Sequence, residues 1–142
     1  MRGVIMGLNG AVAELNNAGS DSVFQKIRME LLDEYRQDHN FPWIIGYSGG
    51  KDSTLVAHLA FEMLMRLPPS ERKRAVHIVA NDTLVESPLV VQHIIDSIKE
   101  IEGAAQAFGL PVFTRITRPA PDQSFWVNMI GRGYPSPNRS FR

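Results

Sequence analysis

The chain has 142 residues, 44% of them apolar and 21% charged, with no cysteine. That suits one soluble domain with its own core, and it excludes disulfides, thiol nucleophiles and thiolate-held metals within this stretch. Fifteen basic residues balance 15 acidic ones, so no global field draws nucleic acid to the chain. No apolar run nears the roughly 18 residues of a membrane helix, and residues 1–10 are too short and glycine-rich for a signal peptide. The expected location is the cytoplasm, with no membrane partner.

In chain order, residues 1–20 are small and Gly/Asn-rich and are expected to form a loosely held arm. A helix is predicted over residues 22–38, capped by Asp21 or Ser22, from Phe24, Ile27, Leu31 and Tyr35 at helical spacing. Trp43, Ile44, Ile45, Gly46 and Tyr47 form a short apolar run bounded by turn residues, which predicts a buried strand. After a glycine loop, Leu55, Val56, Leu59, Met63, Leu64 and Leu67 predict a helix over residues 52–66, stopped by Pro68 and Pro69. Residues 75–80 predict a second strand. Pro88 opens a helix whose stripe runs through Val91, Ile94, Ile95, Ile98, Ile101, Ala105 and Phe108 to a stop at Gly109 and Pro111. Residues 112–117 predict a third strand and 125–130 a short helix, with Trp126 expected in the core. Strands alternating with helices imply right-handed crossovers and a parallel sheet, with ligands at the carboxyl ends of the strands. Those ends fall at residues 47–53, 81–86 and 118–122.

Charge is unevenly spread. Residues 1–109 carry 10 Lys and Arg against 14 Asp and Glu, a net of −4, while residues 110–142 carry five arginines against Asp122 alone, a net of +4. Arginine suits bidentate phosphate or sulfate recognition, which makes Arg132 and Arg139 candidates for phosphate or DNA-backbone contacts. A solvated basic tail is the alternative.

The segment Ser48-Gly49-Gly50-Lys51-Asp52-Ser53 lies between a predicted strand and a predicted helix. The first N–H groups of a helix have no partner within it, and the helix dipole adds partial positive charge there. Two glycines allow close backbone approach, two serines add hydroxyls and Lys51 adds a full charge, which together make an anion site. A Walker A loop is excluded, because Asp52 follows Gly50-Lys51 and Ile45 stands at the leading glycine position. No G-x-G-x-x-G follows Tyr47 either. Asp52 has two readings: it holds Mg²⁺ beside the phosphates, or it caps the following helix. No histidine pair has metal-ligand spacing, and His58 reads as structural.

The S-G-G-x-D-S pattern resembles the PP-loop ATP pyrophosphatases. This resemblance implies an incomplete adenine nucleotide alpha hydrolase-like fold, a Rossmann-like three-layer sandwich with helices on both faces of a parallel sheet. Asp82 and Thr83 match the Asp-Thr that phosphoadenylylsulfate reductases carry at the end of the second strand, with Leu84 in place of their glycine. Residues 125–142, together with residues 67–72 and 82–86, are similar to the DndC-type sulfurtransferases of bacterial DNA phosphorothioation. The similarity runs from about Pro42 to Arg142.

What this resemblance implies is cleavage of ATP to AMP and pyrophosphate, in support of sulfur incorporation into the DNA backbone. Lys51, Asp52 and Ser53 would be catalytic. Tyr47, Ser48, Gly49, Gly50, Lys51, Asp52, Ser53, Asp82 and Thr83 would bind nucleotide, with Asp82 meeting a ribose hydroxyl and Asp52 holding Mg²⁺. In that family a Trp-Cys pair and further cysteines, ligands of an iron–sulfur cluster, follow the position of Arg142. The chain is therefore expected to be the N-terminal portion of such an enzyme, with residues 21–142 its nucleotide domain and no cluster ligands of its own. ATP, DNA reached through a multi-protein complex, other phosphorothioation proteins and a cysteine desulfurase are the implied partners. Two alternatives stand beside this: a sulfonucleotide reductase, and a catalytically silent nucleotide-binding scaffold.

Overall fold

The computed structural model describes residues 18–133. Helix α1 (Ala18–Tyr35) leads to strand β1 (Trp43–Tyr47), helix α2 (Lys51–Arg66), strand β2 (Val76–Asn81), helix α3 (Pro88–Ala107) and strand β3 (Val112–Thr117). A single 3₁₀ turn (Pro121–Gln123) and a π-helical turn (Val127–Gly131) follow. The expected arm is described only at residues 18–20, which belong to α1, so Asp21 and Ser22 lie inside this helix rather than at its cap. The rest of the arm and residues 134–142, Arg139 among them, lie outside the described residues. No described helix is long and apolar enough to cross a membrane.

The three strands form one parallel sheet in the order β1-β2-β3. Register sets Tyr47 beside Ala80, and Ala80 beside Ile116. The three carboxyl ends are therefore level, at neighbouring positions roughly 4.8 Å apart.

Side chains alternate across this sheet. Ile45, Tyr47, Val76, Ile78, Ala80 and Val112 are buried, in one cluster with Ala57, Ala60, Met63 and Leu64 of α2 and Ile94, Ile98 and Ala105 of α3. The opposite face carries Ile44, 74% exposed, and Phe113, 53% exposed, whose ring stacks on His77 with centroids 5.5 Å apart. The expectation of helices on both faces is corrected here: among the described residues helices cover one face, giving two layers rather than three. The cause is topological. Right-handed crossovers that step twice in the same direction place both helices on the same side, and covering the other side takes a reversal of strand order.

Arg74 fastens α1 to this sheet. It is 4% exposed, yet its partners are not carboxylates. Its Nε donates to Phe41 O at 2.8 Å and its Nη1 to Glu34 O at 2.6 Å. Its guanidinium lies 5.6 Å from the ring centroids of both Tyr35 and Trp43. The Tyr35 hydroxyl closes the arrangement, donating to Arg74 O at 2.7 Å and accepting from Arg74 N at 3.0 Å. A buried cation is thus satisfied by the last carbonyls of a helix, where the dipole favours positive charge, and by two aromatic faces.

Candidate functional site: the loop and level strand ends

The chain leaves β1 at Tyr47 and enters α2 at Lys51. Gly49 takes a φ of +75°, a left-handed turn that side chains resist. Gly50 is the helix N-cap and has no side chain to offer. The N–H groups of Gly49, Gly50, Lys51, Asp52 and Ser53 accordingly have no acceptor among the described residues. Five backbone donors at one helix start, with the dipole behind them, form an anion cradle.

Hydroxyls shape this loop from inside. Ser53 Oγ donates to Gly50 O at 3.0 Å and accepts from Ser48 N at 3.2 Å. Thr54 Oγ1 also donates to Gly50 O, at 2.9 Å, and stands 3.4 Å from the hydroxyl of buried Tyr47. Ser53 is thus the cross-brace of the loop. Sequence reading missed Thr54 and missed His93, whose Nε2 lies 3.2 Å from Gly49 O. His93 is separated from the loop by 44 residues, and no local signal could have linked them.

Lys51 and Asp52 are exposed on the first turn of α2. Because Gly50 is the N-cap, Asp52 is the second helical residue, and the capping reading is corrected. Its carboxylate makes no hydrogen bond among the described residues. One carboxylate beside a phosphate cradle fits magnesium, which takes one or two carboxylates plus phosphate oxygens. No group of three His, Asp or Glu able to hold a metal by themselves occurs among the described residues.

At the end of β2, Asp82 is 8% exposed and turned inward. Its Oδ1 accepts from Leu84 N at 3.1 Å and its Oδ2 from Arg118 Nε at 2.9 Å. The carboxylate expected to meet a ribose hydroxyl thus anchors an arginine from the end of β3. Leu84, in the position of the reductase glycine, takes a φ of 64°, so the backbone turns there as a glycine would. Thr83 Oγ1 lies 2.7 Å from both Glu86 oxygens, and this hydrogen bond holds the Glu86 carboxyl below its ordinary value.

A cleft of about 550 Å³ opens beside these residues, between the ends of β2 and β3 and the turns that follow. Arg132 stands at its rim, its Nη1 3.2 Å from Asn128 Oδ1 and 3.5 Å from Gln123 Oε1. Its Nη2 is 3.9 Å from Asp122 Oδ2. Trp126 is 53% exposed rather than in the core, with Nε1 3.4 Å from Leu84 O.

The loop, Asp82 and Thr83, and Arg132 thus share one end of the sheet. Comparison of the chain with protein-family models, curated proteins and solved structures returns no match.

Proposed function

We propose that the chain binds ATP at the loop of residues 48–53 and is the nucleotide-activating part of a PP-loop enzyme that cleaves ATP to AMP and pyrophosphate. The observation that carries this is the uncapped start of α2, with five unpaired N–H groups directed from the end of a parallel strand. Such donors hold phosphate oxygens and stabilise the negative charge that builds on a departing pyrophosphate. Lys51 adds a full positive charge at the same turn. Asp52 is the residue that would hold Mg²⁺, which supplies further neutralisation of the phosphates.

The reaction class is activation. An acceptor oxygen attacks the α-phosphorus of ATP, the bond to the β-phosphate oxygen breaks, and pyrophosphate leaves. The acceptor oxygen is then part of AMP, a good leaving group. A sulfur nucleophile can displace it, forming a bond to sulfur as the bond to the AMP oxygen breaks. On the sequence resemblance, the acceptor is a DNA backbone phosphate and the sulfur comes from a cysteine desulfurase. The iron–sulfur cluster of the family has no ligands in this chain.

The experiment is a release assay with labelled ATP, Mg²⁺ and short DNA, with Ser53→Ala and Asp52→Asn beside the wild type. Release of pyrophosphate, with an equal amount of AMP carried on the DNA and freed only when a sulfur donor is added, is expected and should be lost in Asp52→Asn. ATP binding without release, in the chain and in any longer form of it, favours the scaffold reading. Formation of sulfite and AMP from an adenylylsulfate, with thioredoxin oxidised in equal amount, instead favours the reductase.

A further inference from the structure

The geometry points to a second binding site in the cleft beside the loop, one that takes the phosphate ester of a nucleotide through the guanidinium of Arg118. The inference goes beyond ATP binding at residues 48–53, and uses that reading only to say what the second phosphate is for.

The argument begins with Asp82. A carboxylate buried to 8% exposure is costly unless paired and hydrogen-bonded. Here it is committed on both oxygens, to Leu84 N and to Arg118 Nε. The pair does more than neutralise a charge. Engaging Arg118 at Nε fixes the plane of the guanidinium and leaves the fork of Nη1 and Nη2 with no acceptor among the described residues. Arg118 lines the cleft, and its side chain is 62% exposed. A planar, pre-oriented arginine fork matches the oxygens of a phosphate.

The neighbouring polar groups narrow the ligand further. Asn81 Oδ1 already accepts from the Thr117 hydroxyl, while its amide nitrogen has no acceptor among the described residues. Gln123 Oε1 and Asn128 Oδ1 are turned to Arg132. Around the cleft, then, the side-chain amide oxygens of Asn81, Gln123 and Asn128 each already accept a hydrogen bond, while donors from Arg118 and Asn81 are unengaged among the described residues. Unengaged donors on this wall, one of them cationic, favour an anion. Arg118 lines the cleft directly, and Arg132 holds two of its lining residues, Gln123 and Asn128.

Size and position supply the rest. A volume of about 550 Å³ exceeds a bare phosphate several-fold, and Phe125, Met129 and Pro119 give the cleft an apolar side for a sugar or base. The fork of Arg118 lies at the end of β3, two strands from the loop, roughly 10 Å away at ordinary strand spacing. That separation lets one phosphate ester sit in the cleft while a triphosphate occupies the loop. The site is thus placed to present an acceptor phosphate to the nucleotide. The phosphate ester could belong to a free mononucleotide or to a nucleic-acid strand.

The test is calorimetric titration of the chain with thymidine monophosphate and with a short oligothymidylate, with the loop saturated by a non-hydrolysable ATP analogue. The wild type is expected to bind at least one probe. Arg118→Gln should weaken that binding about tenfold or more, the range for a lost charge-assisted hydrogen bond. Arg118→Lys, which keeps the charge but not the fork, should fall between them. Oligothymidylate binding about tenfold tighter than the monophosphate, and falling steeply with salt, assigns a strand; equal affinities assign a free nucleotide. Both outcomes support the site.

Should Arg118→Gln fail to fold, Asn81→Asp sets a carboxylate on the exposed rim of the same wall and should weaken binding in the same way. Unchanged probe affinity in the folded variants overturns the inference. So does complete displacement of the probe by the ATP analogue, which would make the cleft part of the loop site. Failure of the loop reading shows separately, as ATP affinity unaltered by Ser53→Ala.

Discussion

The imidazole of His93 on α3 meets the carbonyl of Gly49, in the loop between β1 and α2, at 3.2 Å. It ties the loop after β1 to the helix after β2. A donor on Gly49 O restrains rotation of that peptide plane, and with it the direction of the neighbouring N–H group. His93→Ala should therefore weaken ATP binding about two- to tenfold, the worth of one ordinary hydrogen bond. His93→Gln, which retains an N–H donor, should recover part of it. Equal affinities for wild type and His93→Ala in a titration would show that the contact is incidental.

Gly49 itself admits no side chain. A Cβ there would lie 3.1 Å from Ile94 Cγ1 and 3.2 Å from His93 Cδ2, on a residue with φ +75°. Both effects act in the same direction, so Gly49→Ala should cost about 1–3 kcal/mol of stability or of loop geometry. Urea denaturation and ATP titration together read both. A variant as stable and as tight-binding as the wild type would rule out the left-handed turn.

Tyr35 carries a prediction about alkaline pH. Burial raises its pKa above 10.0, against the opposing pull of the hydrogen bond with Arg74 and of nearby positive charge. A phenol whose folded pKa is raised stabilises the fold fully below its unfolded value. That contribution is lost as pH climbs through the folded one. Tyr35→Phe should cost about 1–3 kcal/mol near neutral pH, because a buried N–H and C=O of Arg74 lose their partner. The variant should also lose the part of the decline above pH 10 that Tyr35 causes. Parallel alkaline limbs in the two proteins would refute the assignment.

Leu84 is strained where a glycine would not be. Its φ of 64° costs a side-chain residue about 1–2 kcal/mol. Leu84→Gly relieves this, against about 0.5–1 kcal/mol of added chain entropy. The expected net is stability unchanged or raised by about 1 kcal/mol in thermal melting. A clear loss would mean that the half-exposed Leu84 side chain contributes packing that outweighs the strain.

Much of this geometry was legible in the sequence, for local reasons. β1 and β3 fall where their short apolar runs end, and α3 spans Pro88–Ala107 between a first-turn proline and Gly109. Ser48–Ser53 was recognisable as a glycine turn into a helix because its features lie in consecutive residues. What escaped notice depends on contacts far apart in sequence. Asp82 reads as a partner for a ribose hydroxyl until Arg118, 36 positions on, is seen to take its carboxylate. The helical stripe of α2 includes Leu55 and Val56, yet both are exposed, because the core claims Ala57 and Ala60 instead. The sheet's open face was hidden by the same limit: periodicity shows that a strand has two sides, and strand order decides which is covered.

Arg74 has a consequence for how the chain assembles. The carbonyl it satisfies at Glu34 lies 40 residues earlier. At about 5–20 residues per second, a ribosome adds that stretch in roughly 2–8 s. Through that interval the last carbonyls of α1 exist without the cation that later satisfies them. Helix α1 is thus synthesised before the side chain that fastens it to the sheet, and its docking waits on that arrival.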